Sequence, residues 1–327
     1  MSYGEYEKRG IRRVPCFPDV IAALPYNCRM EILIEVILRA GRSAVELSLF
    51  VLLPVMVVML SLMRLLEARG VLDWLVARLA PLLRPLGLTG LGVFAALQIS
   101  FVSFAAPVAT LAMMEQRGTS DRHLATTLAM VMAMAQANAS FPLAALGLRL
   151  GPLLAFSLLG GLVAAAATYY LFARSLDCSE VSLDETMQHR VVSDTKGVLD
   201  TINHAGAEAF RISVGAIPML VLSLVVVTAL SEIGAIALLT SLLAPAMAAL
   251  NLDTALILPT LTKYLAGGTA MMGVMADMLR AGTASVDLLN QSAGFLIQPL
   301  DIPGVAILIA AGRRVAACPC RQIRRRY

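Results

Sequence analysis

The sequence predicts an all-α, polytopic helical membrane protein. Three observations carry that expectation: scarce charge, long uncharged apolar stretches, and the absence of strand-type alternation. Of 327 residues, 58% are apolar and only 15% are charged, against the roughly 25% of a soluble domain. The 26 basic and 22 acidic side chains are also unevenly placed, with twelve in residues 1–42, eight in 177–205 and six in 313–327. The stretches between have too few polar groups to cover a water-soluble globule and are too apolar for a disordered chain. Five cysteines in a chain of this length exclude a disulfide scaffold. The ten-residue alternating segments of a membrane barrel are not seen. A net charge of +4, drawn from two basic ends, suits segments beside anionic lipid and calls for no nucleic-acid partner.

Taken in order, residues 1–42 read as a cytoplasmic arm ending in an interfacial helix. Pro15, Pro18 and Pro25 interrupt its start, which has no continuous apolar core of the kind a cleavable signal peptide needs. Over 28–46, Glu31, Glu35, Arg39, Arg42 and Glu46 recur at three- and four-residue steps, the pattern of an amphipathic helix on the membrane surface. A first membrane repeat, 43–176, follows. Its segments are A (44–67, with Pro54), B (71–87), C (88–115), D (122–148) and E (152–174). Segment B carries Asp73, Arg78 and Arg84 and suits the interface better than a crossing. Residues 177–205 are a polar linker. The second repeat, 206–312, holds A′ (207–231), B′ (233–250), C′ (253–280) and D′ (284–311), and 313–327 is a basic tail. Cys16, Cys28, Cys178, Cys318 and Cys320 fall outside the apolar segments and match no zinc spacing, so they read as reduced thiols.

The primes mark an internal two-fold repeat. Leu79-Ala80-Pro81 and Leu243-Ala244-Pro245 match at an offset of 164, as do Pro54 and Pro218. Ala40-Gly41 and Ala205-Gly206 match at 165, which leaves one residue of slack, and Pro142 meets Pro303 only after a three-residue slip. Collinear matches over such a span indicate duplication, and duplicated halves meeting at a midplane site are a common transporter design. Basic ends (Lys8, Arg9, Arg12, Arg13; Arg321, Arg324, Arg325, Arg326) place both termini inside and require an even number of crossings. With B in the interface and B′ crossing, eight crossings remain and the repeats are inverted. The parallel arrangement stays open.

Segments C and C′ exceed the roughly 20 residues that span a bilayer, and each is interrupted: "QISFVSFAAPVATL" (98–111) and "TLTKYLAGGTAMMGV" (260–274). Segments D and D′ are interrupted at "AQANASFP" (135–142) and "IQPLDIPG" (297–304). Unpaired backbone is tolerable at membrane depth only against protein or a wet cavity, so the four breaks point to one central polar cavity with broken or re-entrant helices at midplane. The candidate binding residues lie there: Gln98, Ser103, Pro107, Gln136, Asn138 and Ser140 from the first half, with Lys263, Tyr264, Gly267, Gly268, Thr269, Asp277 and Asp301 from the second. Lys263 has apolar neighbours, and a lysine at that depth is normally paired or wet; Asp277 and Asp301 are its candidate partners. Ser and Thr in such helices commonly bond their own backbone, and Met271, Met272, Met275 and Met278 suit packing. No catalytic metal, nucleophile or phosphate-loop signature occurs, so no enzyme activity is expected.

The stretches "GVFAALQISFVSFAAPVATLAMMEQRG" and "AMAQANASFPLAALGLRLG" resemble membrane proteins grouped by a nucleoside-recognition, or gate, domain. The first half is similar to spore maturation protein A. The second, "LPTLTKYLAGGTAMMGVMADMLRAG", is similar to spore maturation protein B. The resemblance covers about 42–312, extends distantly to concentrative nucleoside transporters, and implies a transport-like fold. Carried over, it highlights Pro107, Asn138, Ser140, Gly267 and Gly268.

The expectation is therefore a secondary-transporter-like protein moving a small polar solute, nucleoside-like or other. Na⁺ or H⁺ are the candidate coupling ions, with no other cofactor. The bilayer and the solute are its partners, with self-association left open. The expected location is a bacterial inner membrane with both termini cytoplasmic. The alternative is a non-transporting scaffold or a component of an export or maturation complex.

Overall fold

A computed structural model describes residues 26–103, 105–174, 176 and 197–317. The N-terminal arm before 26, most of the linker, the end of the basic tail and the side chain of Cys28 lie outside the described residues. Every regular element among those described is a helix. In chain order these are α1 Tyr26–Glu46, α2 Leu53–Ala68, α3 Val71–Leu83, α4 Gly90–Phe101, α5 Pro107–Gln116, α6 Asp121–Ala133 and α7 Ala137–Ala144. Then follow α8 Leu150–Ala167, α9 Val198–Glu232, α10 Ala235–Ala249, α11 Ile257–Ala266, α12 Gly268–Arg280, α13 Val286–Leu296 and α14 Ile302–Ile309. Each of segments C, D, C′ and D′ is a pair of helices around a break.

Two boundaries differ from the sequence reading. The amphipathic stretch and segment A form one rod, because α1 runs through a π-helical turn, Leu47–Leu52, directly into α2. Pro54 directly follows the π-turn inside this continuous rod, where it supplies no backbone donor. The second long helix starts at Val198, inside the stretch read as linker.

Among the described residues four helices are long and apolar enough to cross a membrane: Ile34–Ala68, Asp121–Ala144, Leu150–Phe172 and Val198–Leu230. A fifth appears if Val71–Leu86 and Gly90–Phe101, bent by 108°, count as one span. This is fewer than the eight crossings expected, because α10 has only 15 residues and the helices flanking the breaks of C, C′ and D′ only 8 to 13 each. Phe50, Phe156 and Leu238 are more than 70% exposed, as lipid-facing side chains are and those of a soluble domain are not. The chain is an integral membrane protein.

Elements of the second half follow those of the first at a nearly constant spacing. Gly70 and Gly234, both left-handed, end the long helices 164 residues apart. Ser120 and Ser285 cap α6 and α13 165 residues apart. Gln136 and Asp301 occupy the N-cap positions of α7 and α14, also 165 apart. The slip inferred from Pro142 and Pro303 is therefore absent, and Pro303 falls opposite Asn138. The one residue of slack before Pro54 coincides with the π-turn, the usual helical accommodation of a single extra residue. Among the described residues helix α8 has no counterpart.

The two long rods pack antiparallel. Ser48 donates from Oγ to the carbonyl of Ser213, its own counterpart 165 residues on, at 2.5 Å. On one side of this crossing, buried Ala40 and Ala44 pack in a cluster with Leu220 and Leu224. On the other, Ala205 and Ala209 pack in a cluster with Met56 and Leu60. These are corresponding residues with the halves exchanged. Helix α7 packs on α12, and α14 packs on α5, a second exchange of the same kind. Small side chains at the crossing let the backbones approach closely. Enlarging either alanine set by Ala44→Leu or Ala209→Leu should overpack the crossing by about 1–3 kcal/mol. Thermal unfolding in detergent should show similar losses for both.

Candidate functional site

Three of the four breaks meet. Between α11 and α12, Gly267 has φ +88° and ψ 170°, a conformation that excludes other residues and turns the chain out of one helix into the next. Gly268 lies so close to the Gln136 amide that a Cβ there would overlap it. Between α6 and α7, the N–H of Gln136 donates to the carbonyl of Ile297 at 3.3 Å, joining this break to the one between α13 and α14. The N–H of Ala135 donates to Oγ of Ser157 on α8 at 2.7 Å. Asn138 donates from Nδ2 to Oγ1 of Thr269 at 3.1 Å, which ties α7 to the start of α12.

Asp301 opens α14 as its N-cap, with Oδ1 accepting from the N–H of Gly304 at 2.7 Å. Lys263, on the last turn of α11, is fully buried. Its Nζ donates to the carbonyl of Leu300 at 3.2 Å. It also lies 4.6 Å from the centre of the Tyr264 ring and 5.3 Å from that of Phe295, where ring quadrupoles favour a cation. Among the described residues Lys263 forms no ion pair, yet Asp301 is near enough for each charge to act on the other.

Three buried polar atoms around these breaks have no hydrogen-bond partner among the described residues: Nε2 of Gln136, Oδ1 of Asn138 and Oδ2 of Asp301. All three side chains flank Gly267–Thr269. A buried unpaired polar atom costs about 1–3 kcal/mol, so three together need a purpose. One donor and two acceptors suit a polar solute, and the two oxygens suit a bare cation or a proton. Among the described residues no group of three His, Cys, Asp or Glu is placed to hold a metal ion.

The other sequence candidates lie elsewhere or serve the backbone. Ser140 donates to the carbonyl of Gln136 at 2.8 Å, and Thr262 to that of Leu258 at 2.9 Å. Tyr264 is partly exposed and offers its ring to Lys263. The break between α4 and α5 has no hydrogen bond to the other three among the described residues. Its Gln98 and Ser103 line a separate cavity of 430 Å³, and Oε1 of Gln98 accepts from Thr110 at 2.7 Å. Pro107 begins α5. The single four-break cavity is thus corrected to a three-break site with a neighbouring cavity.

Asp277 is not a partner of Lys263. It is exposed, pairs with Arg280 at 3.3 Å and lines another cavity, of 750 Å³. Ten residues of α12 separate it from Gly267, about 15 Å at 1.5 Å per residue. The methionines of α12 are packing residues, with Met271, Met272 and Met275 buried in one cluster. Ser157 and the carbonyls of Ile297 and Leu300 were missed, since a lone serine in an apolar helix and a backbone oxygen carry no sequence signal.

A family model, Gate, described as nucleoside recognition, matches residues 49–153. This stretch resembles a nucleoside-recognition gate domain. It holds α2 to the start of α8, and so Gln98, Ser103, Pro107, Gln136, Asn138 and Ser140, while Lys263, Gly267–Thr269 and Asp301 come from outside it. No curated protein and no solved structure matches the chain.

The cap and the charge of Asp301 are separable, because Asn caps a helix as well as Asp does and Ala does not. Asp301→Ala should therefore unfold more easily than Asp301→Asn by about 1 kcal/mol, measured by thermal denaturation of the purified protein.

Proposed function

We propose that the protein is a secondary transporter for a small polar solute, built from two inverted halves with its binding site where the three breaks meet. The observation that carries this reading is the trio of buried unpaired atoms on Gln136, Asn138 and Asp301 around Gly267–Thr269. Inversion is supported by the antiparallel rods and the exchanged alanine and leucine sets on either side of the Ser48–Ser213 contact. The gate domain at 49–153 supports a transporter-like role and leaves the solute open.

In this reading the solute bonds to the Gln136 amide, and its acceptor groups face Lys263. The oxygens of Asn138 and Asp301 take the coupling Na⁺ or proton. Lys263 keeps Asp301 from being an isolated negative charge, so ion and solute enter a nearly neutral site. Asp277 has no part in it.

A thermal-shift screen against nucleosides, amino acids, organic acids and alkali cations tests the reading. A bound solute at 100 times its dissociation constant should stabilise the fold by about 2.7 kcal/mol. Asn138→Ala and Lys263→Met should lose that shift, and solute uptake with it, while Asp277→Asn keeps both. If no solute stabilises the protein and vesicles containing it take up none, the transport reading is wrong.

A further inference from the structure

The 750 Å³ cavity and the three-break site share two helices. On α12 the cavity is lined by Met272, Gly273, Ala276, Asp277 and Arg280. These stand three, four, seven, eight and eleven residues beyond Thr269, which is one face of a helix. On α7 and its C-cap, the lining residues Phe141, Pro142 and Ala145 stand three, four and seven beyond Asn138. Both stripes therefore begin at one hydrogen bond, from Nδ2 of Asn138 to Oγ1 of Thr269 at 3.1 Å. At 1.5 Å per residue, Met272 lies about 5 Å along α12 from Thr269, and Asp277 about 12 Å.

The lining combines wet charge with apolar walls. Arg39, Glu46, Asp277 and Arg280 line the cavity and are exposed, as charges that meet water are. Buried Leu47, Leu224 and Met272 belong to its apolar part. Along α12 the order is charged Arg280 and Asp277, then apolar Met272 and Gly273, then the hydrogen-bonded Thr269. Beside that bond lies Oδ1 of Asn138, one of the three unpartnered atoms. The 430 Å³ cavity has no lining residue on α7, α11, α12, α13 or α14, and reaches only the separate break between α4 and α5. Of these two cavities, only the larger touches helices that carry the site.

We propose that the 750 Å³ cavity is the aqueous access route to the three-break site, entered past Asp277 and Arg280 and ending at the Asn138–Thr269 hydrogen bond. The inference takes the place of the site from the transporter reading and adds how a polar solute reaches it. Broken helices at membrane depth are stable where they border protein or a wet cavity, and this cavity borders α7 and α12 one turn from their breaks. A hydrogen bond between two neutral side chains is a weak inner end, readily exchanged for bonds to an arriving solute. Asp277 then stands at the mouth, outside the site itself.

Cysteine labelling in membrane vesicles tests the route without any solute, so its result stands apart from that of the transport screen. In full-length protein with the native cysteines replaced by serine, Asp277→Cys reports on the mouth and Thr269→Cys on the inner end. A small membrane-impermeant methanethiosulfonate should label both from the same face, faster at 277 than at 269. Ala145 and Ala109 are exposed alanines, one lining each cavity. Ala145→Trp should slow labelling at 269 several-fold, and Ala109→Trp should leave it unchanged. Ser43→Trp fills the larger cavity from α1 and should act as Ala145→Trp does, which separates a blocked route from local damage to α7. Thermal unfolding of each variant checks that the fold is kept. The proposal is overturned if 269 is not labelled from the face that labels 277, if Ala145→Trp and Ser43→Trp leave its rate unchanged, or if Ala109→Trp slows it as much.

Discussion

A broken helix inside an apolar protein must find new partners for the backbone it exposes, and the rest of this structure follows from how that is met. An unpaired peptide group costs several kcal/mol away from water. The N–H of Gln136 meets the carbonyl of Ile297, and the N–H of Ala135 meets Ser157. The first contact joins two breaks from different halves, so neither half satisfies its own backbone alone. The second recruits α8, the element without a counterpart. Once the breaks are made to face each other, α7 must lie on α12 and α14 on α5, and the long rods must cross where Ser48 meets Ser213. Small alanines on both sides of that crossing are what make the approach sterically feasible.

Much of this was legible in the sequence. All four breaks occur within the stretches singled out, and Pro107, Gly267-Gly268 and Pro303 stand at the helix ends that flank three of them, whereas Pro142 lies inside α7. A spacing of 164–165 between matching residues is read from the sequence, and the π-turn Leu47–Leu52 falls where one residue of slack precedes Pro54. What was not legible is which surfaces the breaks face. Asp277 and Lys263 lie fourteen residues apart on one segment, and only the turn at Gly267 decides that one charge points to the centre and the other to a vestibule. The amphipathic stretch gave a helix but not its continuity with segment A, because nothing in Leu47–Leu52 marks the π-turn that carries one into the other. The charged lining of the smaller cavity was missed because Arg64 and Glu208, 144 residues apart, look like ordinary ends of apolar segments.

The distribution of chemistry between the halves sharpens the point. Residues at matching positions of the two halves carry different chemistry. Lys263 corresponds to Ile99, Thr269 to Ala105 and Asp301 to Gln136. The charged and hydroxyl groups of the central site thus come from the second half, and their counterparts are apolar or neutral. The two cavities show no such bias, since Arg64, Glu67, Arg117 and Glu208 line the smaller and Arg39, Glu46, Asp277 and Arg280 the larger.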